Sequence, residues 1–336
     1  MRIAIFLSLA SLAFAQRADL PPRKVIVGTV MRGFWVPYPG LDSRIRELTS
    51  LIDEMNSEAR RKYARGVDIA VLPEVALTGE NGGEPAKHAF PLDGKLKDAF
   101  ATKARQLNAY LVVPTYLTER DGSITNAAIL FGRKGEVAGI YRKLHPAVTT
   151  GSDSFEGGIA AGKQAPVFSC DFGKLGIQIC FDIEFDYGWD QLAKQGADLV
   201  VWPTQSPQTA RPAFRARQGG YYVVSSTWRN NASIFEPTGR VVAQIKAPNQ
   251  ILVQELDLSY AILPWSSKLK NGKALAEKYG DKVGYRYYED EDRGLFWSND
   301  PRMTIGEMYR SLGLAEAASE VDRIKVLFRK AGVPGY

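Results

Sequence analysis

The first half of the chain alternates short apolar runs with amphipathic stretches of helical period. Lys24 to Val30 predicts a buried strand, and apolar residues recur at helical spacing after Asp42. Val67 to Leu72 is almost continuously apolar, which is typical of a strand buried on both faces. A second amphipathic helix begins after Asp93, and the strand Tyr110 to Tyr116 follows it. These residues predict a β-α-β-α-β start.

Beyond this point the pattern changes to pairs of short strand-like segments around turns, as in hairpins. Three hairpins are predicted: Ile124–Phe131 with Val137–Tyr141, Val167–Phe172 with Leu175–Cys180, and Ser233–Glu236 with Val241–Lys246. Helices and strands alternate before the third hairpin, over Tyr187–Gln195, Ala197–Trp202, Ala210–Gln218 and Tyr221–Ser226, and Ile251–Leu256 is the last strand. Two β-α-β runs joined to hairpins predict an α/β fold, a four-layer α-β-β-α sandwich of two mixed sheets.

The N-terminus differs from this pattern. Arg2, the apolar run Ile3 to Leu12 and the small-x-small site Ala13-Phe14-Ala15 predict a cleavable signal peptide over residues 1–15. A membrane anchor is the alternative, but the run falls short of the about 20 residues that span a bilayer. We therefore expect an exported protein, periplasmic or secreted, with no membrane association after cleavage.

The C-terminus also differs. The α/β pattern occupies residues 24–258, and residues 260–336 are richer in charge and tyrosine before an amphipathic helix. Its apolar stripe consists of Val321, Ile324, Leu327 and Phe328. We predict that this extension packs on the core or on a partner subunit.

Composition excludes several classes of function. The chain is 45% hydrophobic and 24% charged, with a formal charge of +6 spread along its length, so no nucleic-acid-binding surface is predicted. Cys170 and Cys180 are the only cysteines, and two histidines with them give no zinc-ligand spacing, so no metal site is expected. A disulfide between them is conceivable, because both lie on one predicted hairpin.

Three polar residues lie at or just beyond predicted strand ends: Glu74, Lys143 and Cys180. Each has a structural alternative, since carboxylates and lysines are mostly surface residues and a free cysteine is often a small buried apolar side chain. The end of a strand is also where α/β folds place nucleophiles.

The surrounding motifs occur in a set order: Val71-Leu72-Pro73-Glu74, Tyr141-Arg142-Lys143-Leu144-His145 and Gly176-Ile177-Gln178-Ile179-Cys180-Phe181-Asp182. This ordered set resembles the nitrilase superfamily of carbon–nitrogen hydrolases. The resemblance spans Lys24 to Leu256 and includes Ala232-Ser233-Ile234-Phe235-Glu236-Pro237-Thr238-Gly239-Arg240. It implies that residues 24–258 form a carbon–nitrogen hydrolase domain.

The resemblance implies a role for each residue. Cys180 is the nucleophile, Glu74 is its base and Lys143 stabilises the oxyanion, with the backbone N–H of Phe181 as a second donor. Glu156 is the best match to a supporting glutamate, with a plain loop carboxylate as the alternative. Chemistry supports the set, because a thiol is only a few per cent ionised near neutral pH and needs a base or a cation. No cofactor is needed.

Two departures from the family pattern concern the substrate. Glu184 stands where relatives carry an arginine, and Gln218-Gly219-Gly220 stands where they carry Glu-Asn. Cys180-Phe181-Asp182 resembles the amidase and carbamoylase branches more than true nitrilases, which favours amides over nitriles. An acidic pocket without that arginine predicts a neutral or cationic amide.

Three functions remain open at this point. The first is an exported cysteine-dependent hydrolase of small-molecule amides that proceeds through a thioester. The second is an N-acyltransferase that uses the same acyl-enzyme, which the lack of transmembrane segments disfavours. The third is a catalytically silent binding protein. The resemblance also implies a homodimer or larger assembly through the helix Tyr187–Gln195.

Overall fold

The computed structural model describes residues 17–79, 87–148, 150–151 and 153–335, so the predicted signal peptide lies outside the described residues. The chain divides into two compact units. One unit is formed by residues 25–256, and the other joins residues 17–24 to residues 257–335. No helix in the described ranges has the length and apolar character needed to cross a membrane.

The larger unit contains two mixed six-stranded sheets, with strand orders β12-β1-β2-β3-β4-β5 and β11-β10-β9-β8-β7-β6. Strands β1 to β3 run parallel, as do β7 to β9, and hairpins extend each sheet. The elements are β1 (Lys24–Val30), α1 (Leu41–Tyr63), β2 (Ile69–Val71), α2 (Gly94–Leu107), β3 (Tyr110–Thr118), β4 (Ile124–Phe131), β5 (Val137–Arg142), β6 (Val167–Cys170), β7 (Gly173–Ile177), α3 (Asp186–Lys194), β8 (Leu199–Pro203), α4 (Ala210–Gly219), β9 (Tyr222–Ser226), β10 (Ala232–Phe235), β11 (Val241–Ile245) and β12 (Ile251–Asp257).

Each sheet carries a pair of helices. Helices α1 and α2 bury their apolar stripes in one cluster with residues of the first sheet, and α3 and α4 do the same with the second. The approach of α1 is close, since a Cβ on Gly28 would lie 2.9 Å from the sulfur of Met55. The apolar residues at helical spacing thus form the helix faces that pack against the sheets. The predicted α-β-β-α sandwich is confirmed.

Hydrogen bonds join the two sheets at the carboxyl ends of β1, β2 and β9. The Thr227 N–H donates to the Val30 carbonyl at 3.0 Å. The Ser226 hydroxyl contacts the carbonyls of Val30 at 3.1 Å and Val71 at 3.0 Å. Residues that follow these strands therefore emerge beside the opposite sheet.

The smaller unit has a three-stranded antiparallel sheet of order β13-β15-β14, which the sequence analysis missed. Its elements are β13 (Tyr260–Pro264), α5 (Lys273–Tyr279), β14 (Val283–Tyr288), β15 (Arg293–Ser298), α6 (Ile305–Arg310) and α7 (Ala317–Lys330). The strands, α5 and α6 enclose a separate apolar core. Helix α7 has the predicted stripe, but Val321, Leu327 and Phe328 are exposed, so packing of the extension on the core or a partner stays a prediction.

The hairpin β6–β7 answers the disulfide question. Its register pairs Val167 with Gly176 and Cys170 with Gly173. Cys170 therefore lies next to the turn, whereas Cys180 lies past the opposite end of the hairpin. Both cysteines are free.

Candidate active site

The residue Cys180 lies in a sharp turn rather than at the end of a strand. Strand β7 ends at Ile177, earlier than predicted, and Cys180 begins a short 3₁₀ helix that runs to Glu184. The ladder stops because the Ile179 N–H donates to the Asp182 carboxylate, at 2.9 Å. Cys180 has a left-handed φ of 42°, a strained conformation for a residue with a side chain. The Trp202 indole N–H donates to the backbone carbonyl of Cys180 at 3.0 Å.

The residue Glu74 follows β2 and is held in a similar way. The Trp228 indole N–H donates to its backbone carbonyl at 2.9 Å, and the next residue, Val75, has a φ of 46°. A positive φ is unusual for a β-branched residue, so the surrounding structure over-determines this turn. One left-handed residue is thus the predicted catalytic Cys180 itself, and the other directly follows the predicted catalytic Glu74.

The Glu74 carboxylate is buried, with 2% of the residue exposed. Its Oε1 accepts from Lys143 Nζ and from Asn126 Nδ2, both at 2.9 Å. Its Oε2 is buried and has no hydrogen-bond partner within the described ranges. One oxygen is therefore fixed while the other is open to a proton donor.

The Lys143 ammonium lies between two carboxylates. Nζ contacts Glu74 at 2.9 Å and Glu156 Oε1 at 3.0 Å. Burial lowers the pKa of Lys143, but the charges of Glu74 and Glu156 and the hydrogen bond to Glu74 outweigh it and hold the pKa well above its ordinary value. Lys143 is therefore a fixed cation, and Glu156 shares it from a side chain that is one-third exposed, at 32%.

The carboxylate of Asp182 connects the cysteine turn to the lysine segment. Besides Ile179, it accepts from the His145 backbone N–H at 2.9 Å and from the Tyr141 hydroxyl at 2.7 Å. The Nδ1 of His145 also lies 2.9 Å from it. Asp182 is fully buried, so it fixes Cys180 relative to Lys143.

Glu74, Lys143, Cys180, Phe181 and Glu156 line one cavity of about 280 Å³. The remaining lining residues are Trp35, Ala147, Gln205, Ser206 and Arg229. The structure thus brings all five sequence-predicted residues together. Phe181 is the second residue of the 3₁₀ helix that begins at Cys180, in the first turn, where N–H groups lack an intrahelical acceptor.

The Cys180 thiol is protonated at rest. Burial, and then the charge of Glu74, raise its pKa to about 12, although Lys143, the Thr204 hydroxyl and the Gln205 backbone N–H lower it. A thiol in this state attacks only if a base removes its proton during the reaction. Glu74, whose Oε2 has no hydrogen-bond partner in the described part of the chain, lines the same cavity.

The structure corrects the sequence argument about Glu184. Its carboxylate pairs with Arg211 at 2.5 Å, and it does not line the cavity. The cavity does contain an arginine, Arg229, which the sequence analysis did not consider. The premise of an acidic pocket without an arginine is therefore wrong.

Two polar residues of the site were also missed. Asn126 lies in β4 among apolar neighbours, and a buried amide in such a strand is the signal that could have found it. Thr204 directly follows β8, as the other site residues follow their strands. In the segments that follow β2 and β5, residues 80–86, 149 and 152 lie outside the described residues. Within the described ranges, no group of three or more His, Cys, Asp or Glu is placed to hold a metal ion.

Comparisons with known proteins point to one family. The family profile described as Carbon-nitrogen hydrolase matches residues 40–263. The omega-amidase NIT2 of Danio rerio is 25% identical over 218 residues, which cover 58% of this chain and 78% of that protein. The human deaminated glutathione amidase is 26% identical over 234 residues, covering 61% and 71%.

Solved structures show the same fold. Saccharomyces cerevisiae Nit3, a member of branch 10 of the nitrilase superfamily, superposes with a TM-score of 0.59 at 18% identity, covering 70% of this chain and 90% of that one. An amidase from Nesterenkonia sp. gives 0.57 at 19%, covering 70% and 91%. With the family profile matching most of the chain, the protein belongs to the carbon–nitrogen hydrolases of the nitrilase superfamily and is an enzyme that acts on C–N bonds.

Proposed function

We propose that this enzyme hydrolyses small-molecule amides through a thioester on Cys180. The observation that carries the proposal is the open, buried Oε2 of Glu74 in the cavity that contains the Cys180 thiol. The amidase names of the similar proteins from Danio rerio and human support amides as the substrate class.

The reaction begins when Glu74 takes the thiol proton as Cys180 Sγ attacks the amide carbon. Negative charge then develops on the carbonyl oxygen, where Lys143 Nζ and the Phe181 N–H stabilise it. One such donor is typically worth about 10²–10³ in rate, and a positioned base about 10²–10⁴. The intermediate collapses to the thioester, and Glu74 returns the proton to the departing ammonia or amine.

Water completes the cycle. Glu74 takes a proton from a water molecule as the water oxygen attacks the thioester carbon. The tetrahedral intermediate then collapses to the carboxylic acid and the Cys180 thiolate, and Glu74 returns the proton to the thiolate. Glu156, on the same ammonium as Glu74 at 3.0 Å, holds Lys143 in place and is a supporting residue in this scheme.

The decisive experiment measures ammonia release from a panel of primary amides by the protein from Gln16 onward. We expect turnover that Cys180→Ala abolishes, together with a trapped acyl-enzyme in mass spectra. Acid formed without any added amine identifies the hydrolase, whereas the alternative acyltransferase would form an N-acylated product only when an amine acceptor is added. Absence of both products, with amide binding retained, would point to a silent binding protein.

We further propose a homodimer or larger assembly. Large apolar side chains are exposed near α3 and α4: Phe185, Tyr187 and Phe214 are 40%, 56% and 58% exposed. Such a patch is typical of an interaction surface. Light scattering tests this, and Tyr187→Glu should shift an assembly toward monomer; a strict monomer at micromolar concentration rejects it.

Export is also a proposal, and it rests on residues 1–15 of the sequence. Expression of the full chain in a host that secretes proteins should yield a mature N-terminus at Gln16. Retention of Met1 in the purified protein would argue against a cleaved signal peptide.

A further inference from the structure

The charged groups of the cavity are unevenly paired. Glu74 and Glu156 share the single ammonium of Lys143. These three residues therefore carry one negative charge in excess, which repels an anionic substrate. The fourth charged residue of the lining is Arg229.

The Arg229 guanidinium has no partner within the described part of the chain. The residue is exposed, and its guanidinium makes no hydrogen bond or ion pair there. Other arginines nearby are committed, since Arg211 pairs with Glu184 and Arg215 pairs with Asp186, each at 2.5 Å. Arg229 is thus the one cation of the described cavity lining that is free to meet an incoming anion.

The backbone of Arg229 is held firmly. Trp228, immediately before it, donates to the Glu74 carbonyl and packs edge-on against Trp35 with ring centroids 4.8 Å apart. The Asn231 N–H closes a turn on the Arg229 carbonyl at 2.8 Å, with Asn230 in the left-handed region at a φ of 66°. The guanidinium therefore extends from an anchored turn at the cavity mouth.

We propose that Arg229 binds a carboxylate of the substrate, so that the preferred substrates are amides that carry an anionic group. This inference rests on the proposed function, whose site it specifies further. The planar guanidinium offers paired N–H donors to a carboxylate. Trp35, which is 59% exposed in the same lining, provides a flat apolar wall for the body of the substrate.

The test compares pairs of amides of equal shape. Succinamate and glutaramate place the carboxylate on the acyl side, and 4-methylpentanamide and 5-methylhexanamide are their uncharged counterparts. N-acetylglycine places the carboxylate on the amine side, with N-acetyl-isobutylamine as its counterpart. The ratio of kcat/KM between each anionic amide and its uncharged counterpart is compared for the two placements of the carboxylate. The placement with the larger ratio shows on which side of the scissile bond Arg229 binds the carboxylate.

We expect the ratio of kcat/KM between anionic and uncharged partners to fall roughly 10- to 100-fold in Arg229→Gln, mainly through KM. Arg229→Lys should recover part of the ratio, and Arg211→Gln, which removes an arginine outside the cavity lining, should leave it unchanged. Added salt should lower the wild-type preference, because the guanidinium is exposed. An unchanged ratio in Arg229→Gln overturns the inference.

Failure of the proposed function is distinguishable from failure of this inference. Turnover that survives Cys180→Ala rejects the cysteine mechanism, whatever Arg229 does. If no amide is hydrolysed, calorimetry of succinamate binding to Cys180→Ala, with and without Arg229→Gln, still decides the role of Arg229. Equal affinity of both proteins for succinamate would reject it.

Discussion

Each unit of the chain buries a glutamate, and the two carboxylates have opposite surroundings. Glu74 in the larger unit is 2% exposed, and Glu316 in the smaller unit is 5% exposed. Glu74 accepts from an ammonium and an amide. Glu316 has a buried Oε1 without a hydrogen-bond partner within the described ranges. Burial, and then the charge of Asp19, raise the pKa of Glu316 to about 8, against the lowering effects of Arg17 and Arg310.

The difference teaches what makes a buried carboxylate useful. A hydrogen-bonded cation stabilises the charged form in place of water, so a base can persist away from solvent. Without such a bond, the carboxylate takes up a proton instead. Glu74 therefore suits proton abstraction, whereas Glu316 couples the stability of its unit to pH.

The largest effect is expected for Glu74→Gln. The amide keeps the shape but cannot accept the thiol proton, so kcat should fall by about 10²–10⁴. Glu156→Gln is the matched control, because Glu156 contacts the same Nζ at 3.0 Å from a more exposed side chain. Acylation rates from single-turnover experiments provide the measurement. Equal losses in the two variants would contradict the assignment of Glu74 as the base.

A smaller loss is expected for Asp182→Asn. The carboxylate accepts hydrogen bonds that fix the cysteine turn and the lysine segment, and misplacement of about 1 Å can lower a rate about 10²-fold. KM should change much less than kcat. His145→Ala removes the side-chain contact but keeps the backbone bond, and it should retain more activity. Wild-type kcat in folded Asp182→Asn would refute this positioning role.

The sequence could predict the residues that follow strands, because the topology brings strand ends together. Glu74, Lys143 and Cys180 were found in this way, and the resemblance added Glu156 and the Phe181 N–H. Other contributors were hidden. Asn126 lies within β4. The position of Arg229 depends on a turn, and the residue types alone do not predict the geometry of that turn.

The smaller unit was harder to predict for a related reason. Strands β14 and β15 combine charged residues, tyrosines and glycines, which obscures the alternation that marks a half-buried strand. Register supplies the missing order, since Gly284 pairs with Trp297 and Gly294 pairs with Tyr287. A Cβ on Gly284 would lie 2.3 Å from the Trp297 ring, so the glycine makes room for the indole. Such compensation is a property of paired strands and is absent from either strand alone.

The smallest effect on activity is expected for Glu316→Gln. Its effect on stability should have the opposite sign to that of removing a paired carboxylate. The folded pKa of Glu316 is about 8, against an ordinary value of 4.5. Its stabilising contribution is therefore fully present below about pH 4.5 and is lost progressively as pH rises to about 8, where the unfolded chain has released the proton that the folded chain retains. The glutamine variant cannot ionise, so its unfolding free energy at about pH 8 should exceed that of wild type by on the order of a few kcal/mol, with near equality at about pH 4.5. Calorimetric unfolding across this range measures both. Glu320→Gln, in the helix α7 that directly follows Glu316, is the matched control, because Glu320 lies at the surface beside Arg323 and its removal should leave the pH dependence between about pH 4.5 and pH 8 unchanged. Parallel wild-type and Glu316→Gln curves would mean that Glu316 is charged in the folded protein, and the contrast with Glu74 would then have to be sought in geometry alone.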